Sequence, residues 1–315
     1  MSDPQPSGLG TIAFLGPEGT FAHAAVRQLP AAARATLLPL GTVTLAIDAV
    51  RAGQADAALV PLENSVEGAV PATLDELANG EALVIADEVY LRVAFELMAR
   101  PGTRLADLHS VATHPHAEAQ VRRWLMAHLP GVQVSLVGST AGAVQAVAAG
   151  EFDAAVGAAV AGELYGLDVV AHDIADSEGA VTRFVLLERP GPPAAPTGND
   201  RTSLVAYLRD DHSGALLELL GEFAARGVNL TRIESRPTKG RMGHYCFSID
   251  CEGHVTDQRV GDALAALHRV CADVRYLGSY PRRDGAQGPV PVGRSDRSFT
   301  DARDWLARIR AKGGS

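Results

Sequence analysis

Four short clusters set hydroxyls, amides and one guanidinium at the ends of apolar runs. Together they hold the chemistry to bind an anion or to help a group depart. Thr182-Arg183, ahead of Phe184-Val185-Leu186-Leu187, puts a hydroxyl and a guanidinium at the mouth of a buried strand. FLGPEGTFAHAA (14–25) delivers Thr20 to a helix start. That is either a tight capped turn or a helix end whose free amides hold a carboxylate. VPLENSVEGAV (60–70) places Glu63, Asn64 and Ser65 directly after an apolar strand. Asn64 offers both donors and an acceptor, which suits a neutral polar substrate group, and a solvated turn capped by Ser65 is the alternative. In ATHPHAEAQ (112–120), Thr113 and the helix-start amides are anion contacts, with Gln120 further along the helix. His114 and His116 read there as solvated residues beside a Pro turn. None of the four clusters supplies an obvious base.

Other chemistries lack their residues. No GxGxxG follows a strand, and GxxxxGK[ST], HExxH and GxSxG are absent, so no nucleotide, zinc or serine-hydrolase fingerprint is present. Cys246, Cys251 and Cys271 are odd in number and have no CxxC spacing, which argues against a disulfide framework or a metal site. The residues therefore point to no metal site. A formal net charge of −9 disfavours nucleic acid, whose phosphates need a basic stripe. No apolar run approaches the roughly 20 residues that span a bilayer. MSDPQPSGLG shows no leader pattern, so a cytoplasmic protein with no membrane partner is expected.

The elements that must position these clusters follow from periodicity. From Gly10 to about Arg189, apolar runs alternate with amphipathic Ala-rich segments, which means βα units and mostly parallel sheets. ALVIADEVYLRVAFELMA (82–99) is too long for one strand and reads as two strands, or one bent strand, crossing between lobes. The expected organisation is a disordered 1–9 followed by a two-lobed domain over 10–189. One lobe comprises about 10–85 with 175–189, and the other 86–174. Such a double crossover makes a hinged cleft where small ligands commonly sit. PGPPAAPTGND (190–200) is a linker. Residues 201–282 then read βαββαβ, a ferredoxin-like plan, in which Ser213 caps the first helix and Gly227 stops it. A polar tail occupies 283–315 and ends in a short amphipathic helix.

In register, these segments resemble the prephenate dehydratase family. The resemblance rests on FLGPEGTF, PLENSVEG, HP followed by Gln120, LYG at 164–166 and TRFVLL. It extends to GALLELLGEF and NLTRIESRP, which are similar to the GALL and ESRP motifs of a phenylalanine-sensing ACT domain, and it covers about residues 10–282. It implies an α/β, periplasmic-binding-protein-like two-lobed catalytic domain joined to an α+β ACT domain. The implied reaction is cofactor-free loss of water and carbon dioxide from prephenate to give phenylpyruvate, the committed step to phenylalanine. By motif matching, Thr182 helps the ring hydroxyl depart, with Asn64 and Gln120 beside it. Ser65, Thr113, Arg183, Glu63 and Thr20 are implied substrate contacts, and Phe184 packs beneath Thr182. Arg183 either meets a substrate carboxylate or pairs structurally with Glu63 or Glu178. In the ACT domain Gly214, Ala215, Leu216, Leu217, Asn229, Glu234, Ser235, Arg236 and Pro237 are the implied phenylalanine contacts. Self-association through that domain, as a dimer and then a dimer of dimers, follows from the family. No chorismate mutase helical domain precedes residue 10, so the monofunctional form is expected. Two departures stand out: Thr-His-Pro-His replaces the commoner Ser-His-Pro-Gln at 113–116, and Gly138 precedes Ser139-Thr140 where some members carry an acidic residue. Arogenate as substrate, or a non-catalytic two-lobed binding protein joined to an amino-acid sensor, are the rival readings.

Overall fold

Alternation of short apolar runs with Ala-rich amphipathic segments gives three sheets in the computed structural model, which describes residues 10–177, 179–210, 212–238, 245–285, 293 and 295–312. The expected disordered stretch 1–9 lies outside the described residues. The first stretch carries β1 (Thr11–Leu15), α1 (Phe21–Val26), β2 (Thr36–Leu40), α2 (Val43–Arg51), β3 (Ala57–Asn64), β4 (Gly68–Ala69), α3 (Pro71–Asn79) and β5 (Val84–Arg92). Next come β6 (Glu96–Ala99), β7 (Ser110–Thr113), α4 (Pro115–His128), β8 (Gln133–Leu136), α5 (Thr140–Ala148), β9 (Ala154–Gly157), α6 (Ala159–Tyr165) and β10 (Asp168–Ala171). β11 (Val181–Glu188) then rejoins the first sheet, whose order is β2-β1-β3-β11-β5 with β4 paired to β3. The second sheet runs β10-β6-β9-β7-β8.

The two lobes and their double crossover match the sequence reading, but the first crossing lies elsewhere. Sequence placed it near residue 85. The strand over Val84–Arg92 stays in the first sheet, and the break comes only at Val93-Ala94-Phe95. The long apolar run held two strands of different sheets, and composition alone did not mark the seam. β2 and α6 carry no clear sequence signal. β2 is a half-exposed edge strand containing Pro39, and α6 has seven residues and no side-chain cap. Each lobe has its own core, Ile12, Phe14, Leu59 and Phe184 in one, Leu97, Val111, Val121 and Val156 in the other.

After an irregular stretch the chain builds β12 (Asp200–Tyr207), α7 (Ala215–Ala225), β13 (Leu230–Pro237), β14 (Tyr245–Glu252), α8 (Gln258–Val270) and β15 (Asp273–Pro281). Their antiparallel sheet runs β13-β14-β12-β15, the ferredoxin-like arrangement. Leu204, Ile249 and Cys251 pack with Leu219 and Phe223 of α7 and Val260 and Leu267 of α8. α9 (Asp296–Lys312) follows in the tail. The Ser213 cap is corrected. Gly214 is the N-cap of α7, at φ +98° and with no side-chain hydrogen bond, because the turn needs a left-handed residue there.

By compactness the chain divides into Met1–Thr73 with Val89–Leu187, which holds both lobes, and Leu74–Glu88 with Glu188–Ser315. Within the second unit, segment 74–88 is fixed to the antiparallel sheet. Arg275 donates to the carbonyls of Leu77 (2.9 Å) and Gly80 (2.7 Å), and Tyr207 donates to that of Ala78. Gly278 lets the two backbones meet, since a Cβ there would lie 2.4 Å from the Ile85 carbonyl oxygen.

Candidate active site

Strand β11 alternates, so Thr182 and Phe184 share one face and Arg183 takes the other. Thr182 and Phe184 line a cavity of about 410 Å³ between the two lobes. Its wall includes Thr20, Asn64, Glu67, His114, His116, Gln120, Ser139 and Thr140. A cavity of this size fits a small metabolite. Asn64, Gln120 and Thr182, the three residues sequence ranked as catalytic, are therefore brought together, with Thr20 and Phe184.

Asn64 is held by its own loop. Its Oδ1 accepts from the backbone amides of Val66 (2.8 Å) and Glu67 (3.0 Å), which closes the turn before β4. This fixes the amide's orientation, so Nδ2 must face the cleft, and it donates to Thr182 Oγ1 at 2.8 Å. Thr182 is 9 % exposed, and among the described residues nothing accepts its hydroxyl proton. The hydroxyl is polarised on one side and open on the other.

Ser65 ties this loop to β11. Its amide donates to the Val181 carbonyl and its Oγ accepts from the Val181 amide, both at 2.9 Å. Ser65 thus positions the strand that carries Thr182 and does not line the cavity. Glu63, which lies in β3 rather than in a loop, accepts from Arg183 Nη1 at 2.9 Å. Arg183 is 2 % exposed and sits on the far face of β11. The structure thus corrects its expected substrate contact: the guanidinium pairs with Glu63, away from the cavity. Glu178, the other partner considered, lies outside the described residues. Thr113 is also corrected. It is fully buried, and its hydroxyl donates to the Val156 carbonyl (3.2 Å), within the second sheet.

Thr20 caps α1. Its Oγ1 accepts from the His23 amide (3.3 Å) and lies 3.0 Å from the Pro17 carbonyl. His23 Nδ1 in turn accepts from the Gly19 amide at 3.0 Å, and burial pushes the imidazole's pKa down. Gly19 has φ +87°, and a Cβ there would stand 3.1 Å from that of Ala161 in the other lobe, so the lobes approach closely at this glycine.

The facing wall comes from helix starts. His114 caps α4 through Nδ1, which accepts from the His116 amide (3.3 Å), and Ser139 caps α5 by accepting from the Gly142 amide (2.9 Å). Burial, then its neighbour His116, lowers the pKa of His114, while Glu67 opposes this. No Lys or Arg appears among the cavity-lining residues described. Sequence reasoning read His114 and His116 as solvated, though both line the cavity, and it missed Glu67, Ser139 and Thr140. Ser-Thr opening a helix after a glycine was the available signal for the last two.

The C-terminal candidates differ in exposure. Ala215 is buried, and Leu216 and Leu217 are exposed at 38 % and 74 %. Asn229 is exposed, and its carbonyl accepts from the Glu252 amide. Along β13 half-buried Glu234 and Arg236 alternate with exposed Ser235 and Pro237. Arg236 is engaged by Asp75, at 2.9 and 3.1 Å.

The prephenate dehydratase family model matches residues 12–192, and the ACT domain model matches 202–269. A prephenate dehydratase of Amycolatopsis methanolica is 51 % identical over 305 residues, 96 % of this chain and 98 % of that protein. The crystal structure of an Arthrobacter aurescens prephenate dehydratase in complex with L-Phe is similar at TM-score 0.88 and 48 % identity, covering 96 % of this chain and 99 % of that one. A solved structure described as GqqA, a novel type of quorum quenching acylase, is similar at TM-score 0.78 and 34 % identity, covering 87 % of this chain and 98 % of that one.

Proposed function

Because this chain belongs to the prephenate dehydratase family, we propose that its inter-lobe cleft converts prephenate to phenylpyruvate, with Thr182 assisting departure of the ring hydroxyl. The observation that carries this reading is the Asn64–Thr182 hydrogen bond at the cavity wall. In the reaction the ring carboxylate's C–C bond breaks and its electron pair enters the ring. The C–O bond to the hydroxyl breaks on the other side, and the oxygen leaves with its pair and one proton as water. No proton is taken from carbon, so no base is needed, in accord with a cavity that offers none beyond two histidines and Glu67.

Thr182 is a poor acid alone. Donation from Asn64 into its oxygen stabilises the alkoxide that forms as the proton moves to the leaving oxygen, and solvent then restores that proton. General-acid assistance of this kind contributes about 10²–10⁴-fold. The substrate's two carboxylates meet no Arg or Lys among the lining residues described. The capped starts of α4 and α5, with the Thr140 hydroxyl, supply amide donors and positive dipole ends instead. Gln120 adds a side-chain amide from the second turn of α4.

The ACT domain is the seat of phenylalanine control in this reading. The Arthrobacter aurescens relative, crystallised with L-Phe, supports it. Exposed Leu216, Leu217, Ile233 and Tyr245 give this domain apolar surface suited to pairing with a second copy. A catalytic domain over 10–189 and a regulatory domain over 201–282 accord with the two family matches. Among the described residues no helix is long and apolar enough to cross a membrane, and we place the reaction in the cytoplasm.

The test is turnover of prephenate by the full chain, with phenylpyruvate followed by its absorbance in base, for wild type and Thr182→Ala, with and without phenylalanine. Wild-type turnover lost in Thr182→Ala supports the assignment, and a phenylalanine-dependent rate supports the sensor. A folded wild type inert towards prephenate but active on arogenate overturns the substrate. Full activity of Thr182→Ala removes Thr182 from the chemistry.

A further inference from the structure

The turn that Asn64 closes carries a second group into the cleft. Glu67 donates its backbone amide to Asn64 Oδ1, and its carboxylate reaches across the lobes to α4. One oxygen, Oε1, lies 3.3 Å from His116 Nδ1 and 3.4 Å from Gln120 Nε2. All three side chains line the same cavity. The contacts are long, and the Glu67 and His116 side chains are 51 % and 71 % exposed, so the bridge costs little to break. A carboxylate in a cavity proposed to receive a dianion is not there to attract substrate. It occupies the donor of Gln120 that a substrate carboxylate would otherwise use.

We propose that Glu67 is a positioning residue, an inter-lobe clasp that holds Gln120 and His116 in the free enzyme and that a substrate carboxylate displaces. This rests on the assignment of prephenate to the cleft. The clasp does two separable things. Its oxygen holds Gln120 by hydrogen bonding in the free enzyme, which a neutral amide also does. Its charge opposes an incoming dianion, which a neutral amide does not. Two unit charges about 4 Å apart in solvent interact by about 1 kcal/mol, equivalent to about fivefold in affinity.

Glu67→Gln and Glu67→Ala in the full chain separate these effects. In Glu67→Gln, KM for prephenate falls about fivefold and kcat stays within about twofold. In Glu67→Ala, KM falls further than in Glu67→Gln, because neither the charge nor the hydrogen bond then competes with the substrate carboxylate for Gln120. A KM in Glu67→Gln equal to or above wild type overturns the proposal. So does an equal loss of kcat in both variants, which a merely structural residue would give. Hydrogen exchange without substrate reads the clasp alone. Amides over 114–121 exchange faster in Glu67→Ala and at the wild-type rate in Glu67→Gln. Unchanged exchange in Glu67→Ala overturns the clasp whatever the kinetics show. If wild type is inert towards prephenate, the substrate assignment fails, and this exchange measurement decides the clasp.

Discussion

In the cleft, Thr182 takes one hydrogen bond from Asn64 and keeps its own proton for whatever enters; on the sheet of β12–β15, buried polar groups answer one another. There Ser203 donates to Asp250 (2.7 Å), Arg232 holds both oxygens of Asp250, and Arg201 pairs with Glu88 and Asp284. Both regions spend side chains on polar contacts. The sheet uses its contacts to fix segment 74–88 and specify one packing. The cleft aims its donors at the cavity, and in the proposed reaction the substrate supplies the acceptor for Thr182. A buried ion-paired network contributes little net energy but is costly to break, whereas a partly exposed contact is cheap to alter.

Removing Glu88 probes the first half of that contrast. Glu88 and Arg201 have side-chain exposures of 0 % and 3 %, and Arg283 also donates its backbone amide to Glu88. Glu88→Ala leaves the Arg201 guanidinium buried and still paired with Asp284. Stability should fall by about 3 kcal/mol, the lower end for a broken buried pair. Denaturant unfolding measures it, and prephenate turnover well below the transition should persist. A loss under about 1 kcal/mol would mean that the sheet network is as dispensable as a surface pair.

Asn64→Ala probes the second half. It removes the donor to Thr182 and the closure of the 64–67 turn, so kcat should fall about 10²-fold. The unfolding midpoint should move far less than in Glu88→Ala, because Asn64 is only partly buried and its turn lies at the surface. A variant losing stability and rate in step would place Asn64 with the structural network instead.

The same contrast explains how much was legible in the sequence. Strands, most helices and the βαββαβ order follow from local periodicity, which reports burial directly. Asn64, Gln120 and Thr182 were also legible, since each sits where an apolar run ends or a helix begins. What failed was the side to which a side chain points relative to a distant neighbour. Thr182 and Arg183 are adjacent, yet strand alternation sends one to the cavity and the other to Glu63. Thr113 ends a strand as expected, but the carbonyl of Val156 in the neighbouring strand takes its hydroxyl. Arg236 likewise has a partner no local pattern announces, Asp75, which lies 161 residues earlier. Long-range partners of this kind leave no local pattern.

The smallest expected effect lies at the lip of the cleft. His23 is buried against Phe14, with ring centroids 5.4 Å apart, and its Nδ1 accepts the Gly19 amide, so the neutral ring carries its proton on Nε2. Burial, with Arg27 adding to it and Glu18 opposing, lowers its pKa from 6.5. The unfolded chain therefore binds the proton more readily. Stability is fully present above 6.5 and declines as pH falls from there towards the lowered folded value. Melting temperature should drop as pH falls below about 6.5, and His23→Asn, which keeps an acceptor for Gly19, should flatten part of that slope. Only part is expected, because His114 caps α4 through its own Nδ1 and its pKa is lowered too. An unchanged slope in His23→Asn would show that the Gly19 turn does not depend on a neutral ring.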